Sequence, residues 1–404
     1  MAWSEMGQDR IREALRQTIG VTMGLSQLLT LAPYPLSILQ DDCSTTSVRA
    51  RATLFVRTLF SFSVIVAEVV SLFVVFFYYP HLLYPESVPI FIKILYYIVN
   101  AVQIALVGNL LMACERRRDR YEHTFAQMSS LLEQIANTED CSGTIWHKKT
   151  IKVVLALYIS IALLIPVGMV TAMGNIGALP FTVAYLVPYT ASFMILIQYY
   201  ECNVYLWAIL HKLDEELVAL GRGEEDVEQL TGKFVPNRSV KIYYVAAYPH
   251  FGIIERLRQL HINTMEIVAD LNCNFGFVII LIVVAVFASV NIELLEVYQC
   301  IKDGTLSEGH IALKFLYTGA RFSFYILIAY PNRLIQTQNE RTIFHLFKIR
   351  RASCSEETNA TVRYLHDFQI EHYIGQISNL REIHQACGMI NLDMKLLSNK
   401  RSEL

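Results

Sequence analysis

Six long apolar runs constrain this chain more than anything else in it. They lie near residues 54–79, 89–113, 151–173, 182–210, 275–297 and 311–331. Each reaches the roughly 20 apolar residues that a helix needs to cross a bilayer. Lipid offers no partner for a backbone amide, so runs of this kind must form helices that satisfy themselves. Only 17% of the residues are charged, against about 25% in soluble domains. The expected fold class is all-α, a polytopic membrane helical bundle. Residues 332–404, by contrast, are mostly polar.

Basic residues set the orientation. Of 34 Lys and Arg, 28 fall before the first run, in loops 114–150 and 211–274, or after residue 331, whereas the three short loops hold only Lys302. The positive-inside rule then predicts an inverted topology with a cytoplasmic amino terminus, external short loops and a cytoplasmic tail. The chain divides into a cytoplasmic segment 1–53, a transmembrane bundle 54–331 and a tail 332–404. Residues 1–20 carry no uninterrupted apolar core of a signal peptide. The stretch Ile19–Leu39 is broken by Pro33 and Pro35 and reads as an interfacial or partly buried segment. Of eight cysteines only Cys300 falls in an outer loop, so no intrachain bridge is expected on the oxidising side. The sequons at Asn237 and Asn359 face the cytoplasm and should stay unmodified.

The inner loop 211–274 carries the clearest pattern. After Pro249 a helical periodicity runs into the fifth span. Ile253, Leu257, Leu260, Thr264, Ile267 and Leu271 follow at alternating steps of four and three, a heptad seam. The span therefore extends into the cytoplasm as an amphipathic helix, packing either on its own chain or on another subunit. Further helices are expected at about 335–350 and 357–373, the second with Val362, Leu365, Phe368 and His372 on one face. With 117–137 and 253–273 they would form a bundle beneath the membrane.

Two ionisable residues lie deep in the spans, Glu68 in the first and Arg321 in the sixth. A charge at that depth costs at least about 2.5 kcal/mol and calls for a partner. They could pair or contact a polar ligand, or each could face a water-filled cavity or another neighbour. Lys93 and Lys314 lie close enough to the outer face to snorkel. Arg116–Arg118 with Arg120 form a juxtamembrane basic cluster, read as a topology determinant or a contact for anionic lipid. Pro166 and Gly168 interrupt the third span and Pro188 the fourth. The eleven His show no metal-ligand spacing, and there is no phosphate loop or catalytic constellation. No catalytic residue, metal, cofactor or nucleic-acid partner is expected.

Several stretches resemble one family. Leu257-Arg258-Gln259-Leu260-His261 and Leu271-Asn272-Cys273-Asn274-Phe275-Gly276, leading into the fifth span, resemble the insect gustatory receptors. So does the tail signature Ala386-Cys387-Gly388-Met389-Ile390-Asn391-Leu392-Asp393, and so does Leu28–Pro35 near the start. The resemblance implies a seven-helix chemoreceptor subunit in the plasma membrane of sensory neurons. It would form a homo- or hetero-tetrameric ligand-gated cation channel with a cytoplasmic helical anchor and a pocket open to the outside. The partners implied are a small-molecule tastant, membrane lipid and related subunits. The family's seventh, pore-lining span normally follows the tail signature. Here Leu397 is followed by seven residues, so the seventh span is read as missing.

A pocket in the outer halves would draw on Tyr96, Tyr97 and Asn100, on Tyr185 and Tyr189, on Asn291, and on Tyr317 and Phe322. Apolar walls with a few polar groups suit small organic ligands, although aromatics also gather at membrane interfaces. A non-conducting or regulatory subunit needing full-length partners is the alternative. An unrelated transporter is a third reading, which inverted repeats would favour.

Overall fold

The structure, a computed structural model, describes residues 15–16, 19–36, 48–78, 89–112, 114–134, 153–156, 158–160, 164, 178–222, 249–302, 308–353, 360–379, 385–386 and 390–391. Helix α1 is Ile19–Leu28. It is followed by α2 (Val48–Tyr78), α3 (Ile90–Met112), a 3-10 turn (Glu115–Arg117) and α4 (Arg118–Gln134). Then come α5 (Ala178–Arg222), α6 (Pro249–Lys302), α7 (Glu308–Ser353) and α8 (Ala360–Asn379). Gln385–Ala386 pairs antiparallel with Ile390–Asn391, with Ala386 opposite Ile390. Ala386 of the tail signature thus sits in this short ladder, while Cys387, Gly388 and Asp393 lie outside the described residues.

Among the described residues four stretches are long and apolar enough to cross a membrane: Ala50–Tyr78, Ile90–Met112, Thr182–Leu220 and Gly252–Gln299. The third expected span, 151–173, lies mostly outside the described residues. The sixth forms the first part of α7.

The helices divide by what they face. Phe193–Leu206 of α5 are buried without interruption, and α2, α6 and α7 all pack around this helix. A helix buried on every side, with only Gln198, Glu201 and Asn203 polar in this stretch, belongs in the centre. On α2, Phe55, Phe62, Phe73 and Phe77 instead stay exposed, the surface of a helix turned toward lipid.

Helix α6 spans 54 residues, roughly 80 Å at 1.5 Å per residue. Leu257, Leu260, Thr264, Ile267 and Leu271 are all buried within the chain's own core, and Ile253 packs against it. Arg258 fastens α8 alongside by donating to Gln376 at 2.5 Å and to Glu255 on its own helix.

Two expectations for the tail change. Residues 335–350 are no separate helix but the continuation of α7 through Pro331. Proline removes one backbone donor. In the loosened turn Asn332 Nδ2 donates to the Ile328 carbonyl at 2.8 Å. On α8 the buried face is Ile370, Tyr373 and Ile377, whereas Phe368 is exposed and stacks on His372. Both faces carry aromatic and aliphatic residues, so periodicity alone did not tell them apart.

The amino-terminal segment docks into the bundle. Ile19, Met23, Leu31, Ala32 and Leu36 are buried. Arg57 of α2 donates to the carbonyls of Gln27 and Ala32 and to Glu115 Oε1, and the other Glu115 oxygen accepts the Tyr34 amide at 3.1 Å. Thr22 Oγ1 donates to Glu201 on α5 at 2.6 Å.

Candidate functional site: a polar cleft among four helices

Four helices turn short polar stripes toward one another near the end of the bundle that the basic-residue count places outside. On α3 the stripe is Tyr96, Asn100 and Gln103, and on α6 it is Ser289, Glu293 and Glu296. Steps of four and three keep each set on one helix face. Tyr185, Tyr189 and Ser192 come from α5, and Thr318, Arg321 and Phe324 from α7.

At the centre Arg321 Nη1 lies 3.2 Å from Glu293 Oε1, with both side chains buried. Thr318 Oγ1 donates to Glu293 Oε2 at 2.7 Å. The Arg321 guanidinium lies over the Tyr185 ring, 5.9 Å from its centroid, within range of a cation–π attraction. Beside this pair Tyr96 donates its hydroxyl to Glu296, and Asn100 Nδ2 donates to the Tyr96 carbonyl.

Below the pair lies a cleft lined by Gln103, Pro188, Tyr189, Ser192, Ser289 and Phe324, with Arg321 at its edge. Its accessible core is about 20 Å³, room for about one water. Aromatic rings build one wall. Tyr158 stacks on Phe193 at 3.7 Å and on Tyr189 at 5.4 Å, and Tyr189 stacks on Phe324 at 5.0 Å. Gln103 Oε1, Ser289 Oγ and, one turn above, Asn100 Oδ1 are buried with no hydrogen-bond partner among the described residues. A buried polar atom without a partner carries a desolvation penalty that a ligand or water can relieve.

The structure therefore brings together Tyr96, Asn100, Tyr185 and Tyr189 of the sequence-derived set. Tyr97, Asn291 and Phe322 turn outward: Tyr97 stacks on Phe76, Asn291 bonds its own helix at the Phe287 carbonyl, and Phe322 meets Tyr325 edge-on. The Tyr317 side chain lies outside what is described. Arg321 pairs with Glu293 rather than with Glu68. Glu68 is fully buried on α2, and both its carboxylate oxygens lack a hydrogen-bond partner among the described residues. Sequence reading missed Gln103, Ser289, Glu293 and Glu296. The polar spacing 289–293–296 within an apolar run was the signal that could have found them.

A second polar junction lies where α5, α6 and α7 leave the apolar layer. Tyr199 donates to Asn272 Oδ1 at 2.6 Å and accepts from Asn332 Nδ2 at 2.7 Å. One side chain thus joins three helices. Nearer the amino-terminal end of α6 His261 is wholly buried, edge-on to Tyr373. Burial, above all, holds its pKa down at about 4, opposed by Asn339 and Asp214.

Comparison with known proteins decides the family. The sequence profile of the 7tm chemosensory receptors matches residues 19–399, nearly the whole chain. The chain belongs to this chemosensory receptor family. Such a family comprises receptors rather than enzymes. A putative gustatory receptor, 59f, of Drosophila melanogaster is 25% identical over 152 residues. That match takes in 37% of this chain and only 35% of the relative, so the chain covers about a third of that relative's length. The structure of the insect olfactory receptor OR5 from Machilis hrabei superimposes with a TM-score of 0.58 at 11% identity, covering 96% of this chain and 95% of that one. At that identity the likeness speaks for the fold. Together these matches place the receptor in the insect chemoreceptor superfamily.

Proposed function

We propose that this receptor binds small organic molecules from the extracellular side at the outer cleft, which must widen from its one-water core to admit them, and gates a cation current as one subunit of a tetramer. It would do so with copies of itself or with related receptors, in the plasma membrane of sensory cells. The observation that carries the proposal is the cleft itself: aromatic walls around a buried Arg321–Glu293 pair, with Gln103 and Ser289 presenting unpartnered polar atoms to the space. Apolar enclosure with a few convergent polar groups is the usual character of a small-molecule site. Support for the orientation comes from the lopsided distribution of basic residues.

The same geometry suggests how binding reaches the cytoplasmic side. Arg321 and Asn332 lie about three turns apart on one face of α7. A ligand that repositions α7 at the cleft would shift Asn332 against Tyr199, the residue that ties α7 to α5 and α6. Binding drives opening only to the extent that the open state holds the ligand more tightly. Expression in cells, with small organic taste compounds applied outside, tests this reading. A compound-evoked cation current, alone or beside a related receptor, is the expected result. Surface-expressed protein that stays silent in both settings would overturn it.

A further inference from the structure

The 3-10 turn Glu115–Arg117 and the start of α4 bring a row of arginines to the level where the apolar helix α3 ends. Arg117 and Arg120 line a cleft between α4 and α6, together with Tyr121, Thr124, Leu271, Asn274 and Phe275. Arg116 is exposed beside them. Among the described residues neither arginine of the cleft is locked in a buried ion pair. Arg117 donates to Asn109 Oδ1 at 2.7 Å on an exposed surface, and Arg120 is itself exposed. Glu115, two residues before Arg117, is held by Arg57 at 3.1 Å. Asp119 and Asp270 are exposed nearby but do not line the cleft.

What lies next to the cleft points to the kind of molecule that fits it. On α6, Leu271, Asn274 and Phe277 form one ridge at steps of three. Leu271 and Asn274 line the cleft, whereas Phe277 is exposed, as are Val284 and Phe287 further along the apolar part of the helix. A multivalent anion seated on Arg117 and Arg120 would therefore have an uncovered apolar track leading from it into the bilayer. Free phosphate has no use for that track, but a lipid does. On the orientation read from the basic residues this is the cytoplasmic leaflet, where anionic phospholipids lie.

We propose that Arg117 and Arg120, with Asn274 as a polar neighbour, form a site for the phosphorylated headgroup of an inner-leaflet lipid, whose acyl chain lies along the Phe277–Val284 face of α6. Guanidinium groups suit phosphate because their paired N–H donors match two phosphate oxygens at once. The site lies apart from the outer cleft.

The test uses the full chain in detergent micelles and a fluorescent short-chain phosphatidylinositol bisphosphate, read by anisotropy. Unlabelled phosphatidylinositol bisphosphate should compete at least about tenfold better than phosphatidylserine supplied at equal total charge, since each of its phosphomonoesters concentrates about two charges on three terminal oxygens, whereas the phosphodiester and carboxylate of phosphatidylserine carry one charge each. Soluble inositol phosphate should compete more weakly than the lipid, because it leaves the α6 track empty. Each of Arg117→Gln and Arg120→Gln should weaken binding about fivefold, the worth of roughly one arginine at an anionic surface, while Phe277→Ser should weaken the lipid but not the soluble headgroup. Equal competition by the two lipids, or unchanged affinity in a correctly folded Arg117→Gln/Arg120→Gln double variant, would overturn the proposal. The lipid comparison on the unsubstituted chain stands even if the variants fold poorly.

Discussion

Arg321 on α7 and Glu293 on α6 meet at 3.2 Å inside the outer cleft, each with less than a tenth of its side chain exposed. Breaking such a pair from one side leaves an uncompensated buried charge, which costs about 3–5 kcal/mol. Arg321→Met should therefore destabilise the receptor by that order. The double variant Arg321→Met/Glu293→Leu should recover most of the loss, because neither charge then remains. Denaturant unfolding in detergent reads both. A double variant no more stable than Arg321→Met would show that the pair is not the relevant contact.

Tyr199 is the second lever. Replacing it with Phe keeps the ring against Phe275, 5.7 Å away, and removes only the hydroxyl that joins Asn272 to Asn332. Two buried amide groups each lose one hydrogen bond, so about 1–3 kcal/mol should be lost. Tyr121→Phe, which breaks one bond to Gln198 at 2.8 Å, should cost less. Equal losses in the two variants would contradict the three-helix role given to Tyr199.

Arg57 holds the amino-terminal segment through the carbonyls of Gln27 and Ala32 and through Glu115. Arg57→Met removes these bonds together and leaves Glu115 without its cation. Limited proteolysis should then cut within residues 19–36 several times faster than in the parent, while the helical content of the bundle persists. Cleavage at an unchanged rate would mean that apolar burial of Ile19, Met23 and Leu36 is enough to dock the segment.

His261 makes stability depend on pH with a definite sign. Its folded pKa of about 4 lies below the ordinary value of 6.5, so between these values the unfolded chain binds the extra proton. Its contribution is complete above about pH 6.5 and drains away as the pH falls toward 4. From pH 7 to pH 5 the loss is about 2 kcal/mol. His261→Leu should lessen the drop in unfolding free energy over that interval by the same amount. An undiminished drop would assign the effect to other groups.

The all-α membrane fold was legible because its signal is strong and repeated: long apolar runs and a heptad seam whose members Leu257 to Leu271 are buried. The run of α6 from Pro249 into the fifth span was equally readable, since apart from Gly252 no breaker interrupts the approach. The cleft was less so. Tyr96, Asn100, Tyr185 and Tyr189 could be named because they are polar aromatics or amides in the right halves of their spans. Tyr97 sits one residue from Tyr96 and Phe322 one from Arg321, so they share depth and differ only in the direction they face. Direction depends on how neighbouring helices are rotated, which local sequence does not encode. Arg321 was found as a charge, but its partner Glu293, about a turn from the end of its span, was not singled out. Glu68, nearer the middle, drew attention first and stands elsewhere in the bundle.

The central claim is that a small molecule from outside occupies the cleft between Gln103 and Ser289. The most direct measurement is the concentration dependence of a compound-evoked current in cells carrying the receptor, compared with Gln103→Leu and Ser289→Val. These substitutions keep bulk and remove the two unpartnered polar groups, so each should shift the half-maximal concentration by about tenfold, roughly one hydrogen bond to a buried group. Asn291→Leu, on the outward face of α6, should leave it unchanged. Equal sensitivity in Gln103→Leu, Ser289→Val and the parent would contradict the account.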